Sequence, residues 1–184
     1  LSRMDISSVE VVRIWRDNFQ SFWPPGTRIF TSGKAGISVG NSALLNIKMP
    51  GGLIVAAGIH VIYVDETSFS FITLQGHILS AWITFSAYDD RGTTVVSVRA
   101  FLRASDPIME MALRYGGAAQ EDAFWHYTLK AIAARFGAEG YVEQENRCPD
   151  KHFQWAEVKN IQYNGLIRSH LQMPGYLQRK WSGH

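Results

Sequence analysis

Asp122 and His126 stand four residues apart in a stretch whose apolar residues recur with helical spacing, so their side chains share one helix face and can pair. An imidazole oriented by a carboxylate is a general base, the group an enzyme of the cyclase or dehydratase type would use to take a proton from a carbon acid. The same spacing also suits a structural pair, buried or turned to the helix edge. A carboxylate facing the core is costly unless partnered, and a cavity holding water or a ligand donor would explain one there. His77 follows Gly76 in a tight turn. It either sits at a pocket mouth or hydrogen-bonds to backbone and sets the turn.

Other chemistries find little support. Gly33, Gly36 and Gly40 match neither a dinucleotide fingerprint nor a phosphate loop, because the spacing is wrong and no lysine-hydroxyl pair follows. Cys148 and His152 could share a metal, but one cysteine with scattered histidines is a poor zinc set, so no metal or cofactor is expected. No serine stands in a nucleophile-elbow motif.

The elements that would position these residues are legible as hydropathy patterns. Ser7 and Glu10 have capping-box spacing, and Val11, Val12, Ile14, Trp15, Phe19 and Phe22 continue a helix over about Ser8 to Phe22, until Pro24, Pro25 and Gly26 end it. Strand-like residues around Ala43 to Met49 close at a Pro50-Gly51-Gly52 turn. Then come a buried strand over Leu53 to Val64 and alternating strands over Ser68 to Leu74, Leu79 to Tyr88 and Thr93 to Arg103, each separated by a turn. An antiparallel meander follows naturally. Arg99 and Arg103 alternate with Val98 and Leu102 and belong on its convex, solvated face.

Asp106 and Pro107 open a long helix by capping chemistry. Its apolar face is expected to carry Ile108, Met111, Tyr115, Ala118, Asp122, Trp125, Leu129, Ile132 and Phe136. Gly116 and Gly117 predict either a kink or two shorter helices meeting there. Beyond Gly137 the pattern weakens, although Trp155, Val158, Ile161, Leu166, Ile167 and Leu171 could stripe another helix before Pro174.

Composition bounds the class. The 184 residues, 46% hydrophobic and 18% charged, suffice for one real core and are short for two. The expectation is a single domain over 1–184, its core about 7–137, with 138–184 an extension packing on the domain or on a partner. A net charge of +2 without a basic stripe argues against nucleic acid; Arg179 and Lys180 are the richest local set. A single cysteine excludes an intrachain disulfide and points to a cytoplasmic protein. The apolar run Leu53 to Val64 is too short to span a bilayer as a helix. No signal peptide is legible, and a start at Leu1 leaves open that a leader has been removed.

The order of helix, antiparallel sheet and long C-terminal helix resembles the helix-grip fold of the START and birch-pollen-allergen superfamily (SRPBCC), an α+β class in which a curved antiparallel sheet wraps around the long helix. More narrowly, Thr73, Leu74, Gly76, His77 and Phe85, with Arg103, Pro107, Gln120 and Tyr127, resemble the pattern of an uncharacterised bacterial branch, over about Gly58 to Ala133. Where that branch carries glycine and then glutamate after the histidine, this chain has Ala81 and Trp82, which implies a more apolar or fuller pocket. The resemblance implies a cavity between sheet and helix for lipids, polyketides or other apolar molecules, and no universal catalytic set. Phe71, His77, Trp82, Tyr115 and Trp125 are the expected ligand-binding residues, although aromatics on strands and helix faces serve equally as plain core.

The leading expectation is therefore binding of a hydrophobic small molecule. The alternatives are an enzyme using Asp122 and His126, with His77 nearby, and a ligandless module that forms a homodimer. Phe153, Trp155, Tyr163, Tyr176 and Trp181 could serve such a dimer or close the pocket.

Overall fold

Helix α1 spans Ser8–Asp17 and begins as its sequence dictates, with the Ser7 hydroxyl accepting from the Glu10 amide at 3.3 Å. It is shorter than expected. The Asn18 side-chain amide donates to the Ile14 carbonyl, and the Ser21 hydroxyl donates to the Asn18 carbonyl; these bonds compete with the α-helical ladder. The chain tightens instead into a 3-10 turn over Phe19–Phe22, which turns Phe19 and Phe22 into the core. The computed structural model describes residues 6–31, 36–48, 54–138, 140–168 and 171. The expected Pro50-Gly51-Gly52 turn and the aromatics Tyr176 and Trp181 lie outside them.

Six antiparallel strands follow in strict meander order: β1 Arg28–Thr31, β2 Ser42–Lys48, β3 Ile54–Val64, β4 Ser68–Thr73, β5 Leu79–Asp90 and β6 Thr93–Ala104. Strand β1 was not apparent in the sequence, since four residues carry too little alternation to register; its pairing with β2 creates it. Asp65 holds the β3–β4 turn through one carboxylate oxygen, which accepts from the Thr67 and Ser68 amides at 2.7 and 2.6 Å. The longest ladder, β5 with β6, closes on the two-residue turn Arg91-Gly92.

Alternation sorts the faces of this open, curved sheet. Leu45, Ile59, Val61, Phe69, Phe71 and Phe85 point to the buried side, while Leu44, Tyr63, Trp82 and Phe101 stand exposed on the other. Against the buried face α1 places Trp15, whose ring meets Phe69 and Phe85 edge-on at 5.6 and 5.2 Å. Phe19 adds edge contacts to Phe69, Phe71 and Phe85, and Phe69 stacks on Phe85 at 4.9 Å. This aromatic cluster is the centre of the core.

After β6 the Asp106 carboxylate accepts from the Ile108 and Met109 amides at 2.9 and 3.1 Å and starts helix α2, Pro107–Ala112, with Pro107 in the first turn. A π-helical turn over Leu113–Gly117 breaks the run, and helix α3 continues as Ala118–Arg135. Gly116 sits at φ 120°, a conformation L side chains rarely adopt, so the kink predicted at the glycines is anchored there.

The kink also corrects the expected buried face. Ile108, Met111 and Tyr115 are exposed, Tyr115 by 87%, whereas Met109 is buried. The π turn inserts an extra residue into the helical phase, so the stripe read across it in uniform three- and four-residue steps holds only beyond it, at Trp125, Leu129, Ile132 and Phe136.

The C-terminal stretch does not form the expected amphipathic helix. Residues 140–154 run without regular structure, a 3-10 helix covers Trp155–Tyr163, and a short helical turn occupies 165–168. Trp155 and Val158 are exposed. The stretch is a strap running back along the long helix. Asn146 donates to Asp122 at 3.0 Å, the Arg114 guanidinium donates to the Lys151 carbonyl at 2.8 Å and lies over the Phe153 ring, the Gln154 amide donates to Glu110 at 2.9 Å, and Glu157 faces Arg103 at 3.7 Å. It ends at a buried tie, where the Asn164 side-chain amide donates to Asp106 at 2.6 Å and the Gly165 amide to the Gly76 carbonyl at 2.8 Å. A Cβ at residue 165 would stand 2.6 Å from that carbonyl oxygen, so only glycine allows the approach.

Candidate functional site

Between the buried face of the sheet and the kinked helix lies a cavity of about 420 Å³. Its floor is made by inward side chains of β2 to β5, among them Leu45, Ile59, Phe71, Ile83 and Phe85. Met109, Leu113, Phe124 and Trp125 roof it from α2, the π turn and α3, while Trp23 to Pro25 and His77 to Leu79 flank it, and the exposed Pro25, Gln120 and Tyr127 belong to its solvent-open side. The roof takes this shape because the kink lets α2 and α3 present different faces to the same space. About 150 Å³ suffices for a benzene-sized guest in an apolar cavity, so this one has room for a larger molecule.

The polar residues of the lining are Thr27, Thr73, His77, Gln120, Glu121 and Tyr127. The Thr73 hydroxyl is already engaged, accepting from the Ala81 amide at 2.9 Å. His77 is 8% exposed and its Nδ1 accepts from the Leu79 amide at 3.0 Å, which assigns the proton of the neutral ring to Nε2. Burial depresses its pKa to about 4, against the smaller opposing pull of the Leu79 bond, so the ring is neutral at pH 7. Glu121 enters from α3 and accepts from the Trp125 indole N–H at 2.9 Å. Burial pushes its carboxyl above the usual range; the indole bond draws it part of the way back, and the neighbouring Asp122 carboxylate pushes it up again. Trp23, also 8% exposed, has a buried indole N–H with no acceptor among the described residues.

Three of the residues expected at a ligand site, Phe71, His77 and Trp125, line this cavity; Trp82 and Tyr115 do not. Trp82 is 51% exposed on the outer face, its ring 6.4 Å from that of Phe101, because strand alternation turns Ala81 inward instead. The fuller pocket expected from Trp82 is therefore absent, and the small Ala81 leaves space. Tyr115 falls in the π turn and points to solvent.

Asp122 and His126 do not pair. The Asp122 carboxylate is taken by Asn146 of the strap, and His126 Nε2 is buried without a partner among the described residues. The acid inside the cavity is the adjacent Glu121. Sequence reading passed over it because the long helix carries apolar residues at both 124 and 125 and at both 131 and 132, so its inward line was uncertain by one residue. The available signal was Glu121 and Trp125 at four-residue spacing.

The remaining candidates stand elsewhere. Cys148 is exposed and donates to the Asp150 carbonyl, and His152 contacts the Asp150 carboxylate at 2.9 Å. Among the described residues no group of three or more His, Cys, Asp and Glu could hold a metal ion, and no helix is long and apolar enough to cross a membrane.

No curated protein matches the chain. The chain is similar to a solved structure, the crystal structure of protein Ms6760 from Mycobacterium smegmatis, with a TM-score of 0.51 over 71% of this chain and 84% of that one; at 15% identity the likeness concerns the fold alone. A family model described as "Domain of unknown function (DUF1990)" matches residues 12–130, a span that contains every lining residue from Trp23 to Tyr127 and excludes the strap. With well over half its length inside that match, the chain belongs to the DUF1990 family of domains of unknown function.

Proposed function

We propose that this protein is a helix-grip domain of the START and birch-pollen-allergen type that binds one hydrophobic small molecule between its sheet and its kinked helix. The observation that carries this reading is the cavity itself: about 420 Å³, walled by aromatic and aliphatic side chains from four strands and two helices, with a few fixed polar groups. A catalytic reading built on Asp122 and His126 has no assembled pair behind it.

Native mass spectrometry of the freshly purified protein, followed by denaturing extraction, tests for a co-purified guest. Titration with a neutral hydrophobic dye complements it, comparing the wild type with Ile83→Trp, which places a larger side chain in the cavity floor. The expected result is saturable binding of one dye per chain, weakened at least 10-fold in a variant that keeps the wild-type circular dichroism. Absence of saturable dye binding to the wild type, with no guest released on denaturation, would overturn the reading.

A further inference from the structure

The lining of the cavity has a charge pattern that restricts its guest. Among the described lining residues none is lysine or arginine, and the only carboxyl is Glu121. An anionic head, such as a carboxylate or phosphate, would meet no counter-charge and one acid. A cation would need Glu121 ionised, yet one of its oxygens is already held by the Trp125 indole and its burial opposes the charge. Thr27, Thr73, Gln120 and Tyr127 add donors to the lining, but they belong to half-buried or exposed side chains; the deeply buried donor is the Nε2–H of His77, whose tautomer is set by the Leu79 amide on the opposite ring nitrogen. The His77 side chain is more than nine-tenths buried and belongs to the cavity wall, whereas the Trp23 indole N–H is occluded. With its Nδ1 committed to the Leu79 amide, the His77 ring offers Nε2–H to an accepting oxygen of a guest.

We infer that the cavity selects an uncharged apolar molecule bearing a hydrogen-bond-accepting oxygen, a ketone, quinone or ester rather than a fatty acid or an amine, and that His77 Nε2–H is the group that reads this oxygen. The inference rests on the reading of the cavity as a hydrophobic binding site and narrows it to one class of guest. His77 is a binding residue in this account, and no bond is made or broken.

Four probes on one naphthalene frame separate the possibilities: 2-acetylnaphthalene, 2-ethylnaphthalene, 2-naphthoate and 2-naphthylmethylammonium. Each is measured by equilibrium dialysis at pH 7 against the wild type, His77→Phe and Trp23→Phe. The ketone is expected to bind at least 10-fold tighter than either ion and about 3- to 10-fold tighter than the hydrocarbon, one hydrogen bond's share. His77→Phe should erase the advantage of ketone over hydrocarbon while still binding the hydrocarbon, which doubles as the check that the cavity is intact. If that variant does not fold, the four wild-type affinities decide alone. An ion binding as tightly as the ketone overturns the inference, as does equal binding of ketone and hydrocarbon to the wild type; in either case the cavity reading stands. Failure of all four probes overturns both.

Discussion

His77 shows how a single side chain can be both a structural fastener and the polar feature of a cavity. The folded ring titrates near pH 4 and the unfolded ring near 6.5, so between those values the unfolded chain holds more protons and stability must rise with pH. The contribution is complete above about pH 6.5, lost as the pH falls toward 4, and amounts to about 3 kcal/mol. Glu121 acts in the opposite sense. Its folded carboxyl keeps its proton to higher pH than the unfolded one, so from its ordinary value of 4.5 upward its contribution declines as pH rises. Urea unfolding at stepped pH should therefore show a flatter rise between pH 4 and 6.5 for His77→Gln than for the wild type, and a steeper one for Glu121→Gln. A His77→Gln slope identical to the wild type would remove His77 from the account. His77 was legible as a notable residue because a histidine after Gly76 in a turn is conspicuous; its tautomer was not, because the Leu79 amide reaches it only when β5 starts where it does.

At the scale of elements, the kink governs which residues face the cavity. Gly116→Ala forces a Cβ onto backbone at φ 120° and should cost about 1–3 kcal/mol. At Gly117 a Cβ would lie 2.9 Å from the Ala112 carbonyl oxygen, so Gly117→Ala must displace backbone and shift α2 relative to α3. Guest affinity should fall in the second variant beyond what its stability loss explains, because Leu113 and Glu121 move apart in phase; unchanged affinity would show that the roof tolerates a different kink. The buried Asp106–Asn164 bond ties the strap to the start of α2. Asn164→Ala leaves Asp106 a donor short in a dry position and should lower unfolding free energy by about 1–3 kcal/mol, measured by denaturant titration. A loss within experimental error would mean that water replaces the amide. The capping of α2 was readable from Asp106-Pro107 alone, since capping is local chemistry. Its bond to a residue 58 positions away was not.

At the scale of the whole molecule, the described residues form a six-stranded meander with helices on its buried face and a strap that crosses back over the long helix. The strap lies outside the family match, while the cavity lies wholly within it. Removing residues after Ala138 should therefore leave the β5–β6 amides protected from hydrogen exchange and speed exchange in α2 and the π turn, whose partners Lys151, Gln154 and Asn164 are gone. Equal acceleration throughout the sheet would instead make the strap part of one cooperative unit. What depends on near neighbours could be read from the amino-acid order: the caps of α1 and α2, strands β2 to β6 with the described turns between β3 and β6, the meander, and the break at Gly116. These follow from period, capping and turn residues within a few positions of each other. The phase of the long helix came from packing across the core, and with it Glu121 rather than Asp122 in the cavity, Trp82 outside it, and the strap's grip on Asp122. Those outcomes depend on which face of each element meets another across the core, and a π turn or one step of strand alternation changes the answer without changing the pattern that announces it.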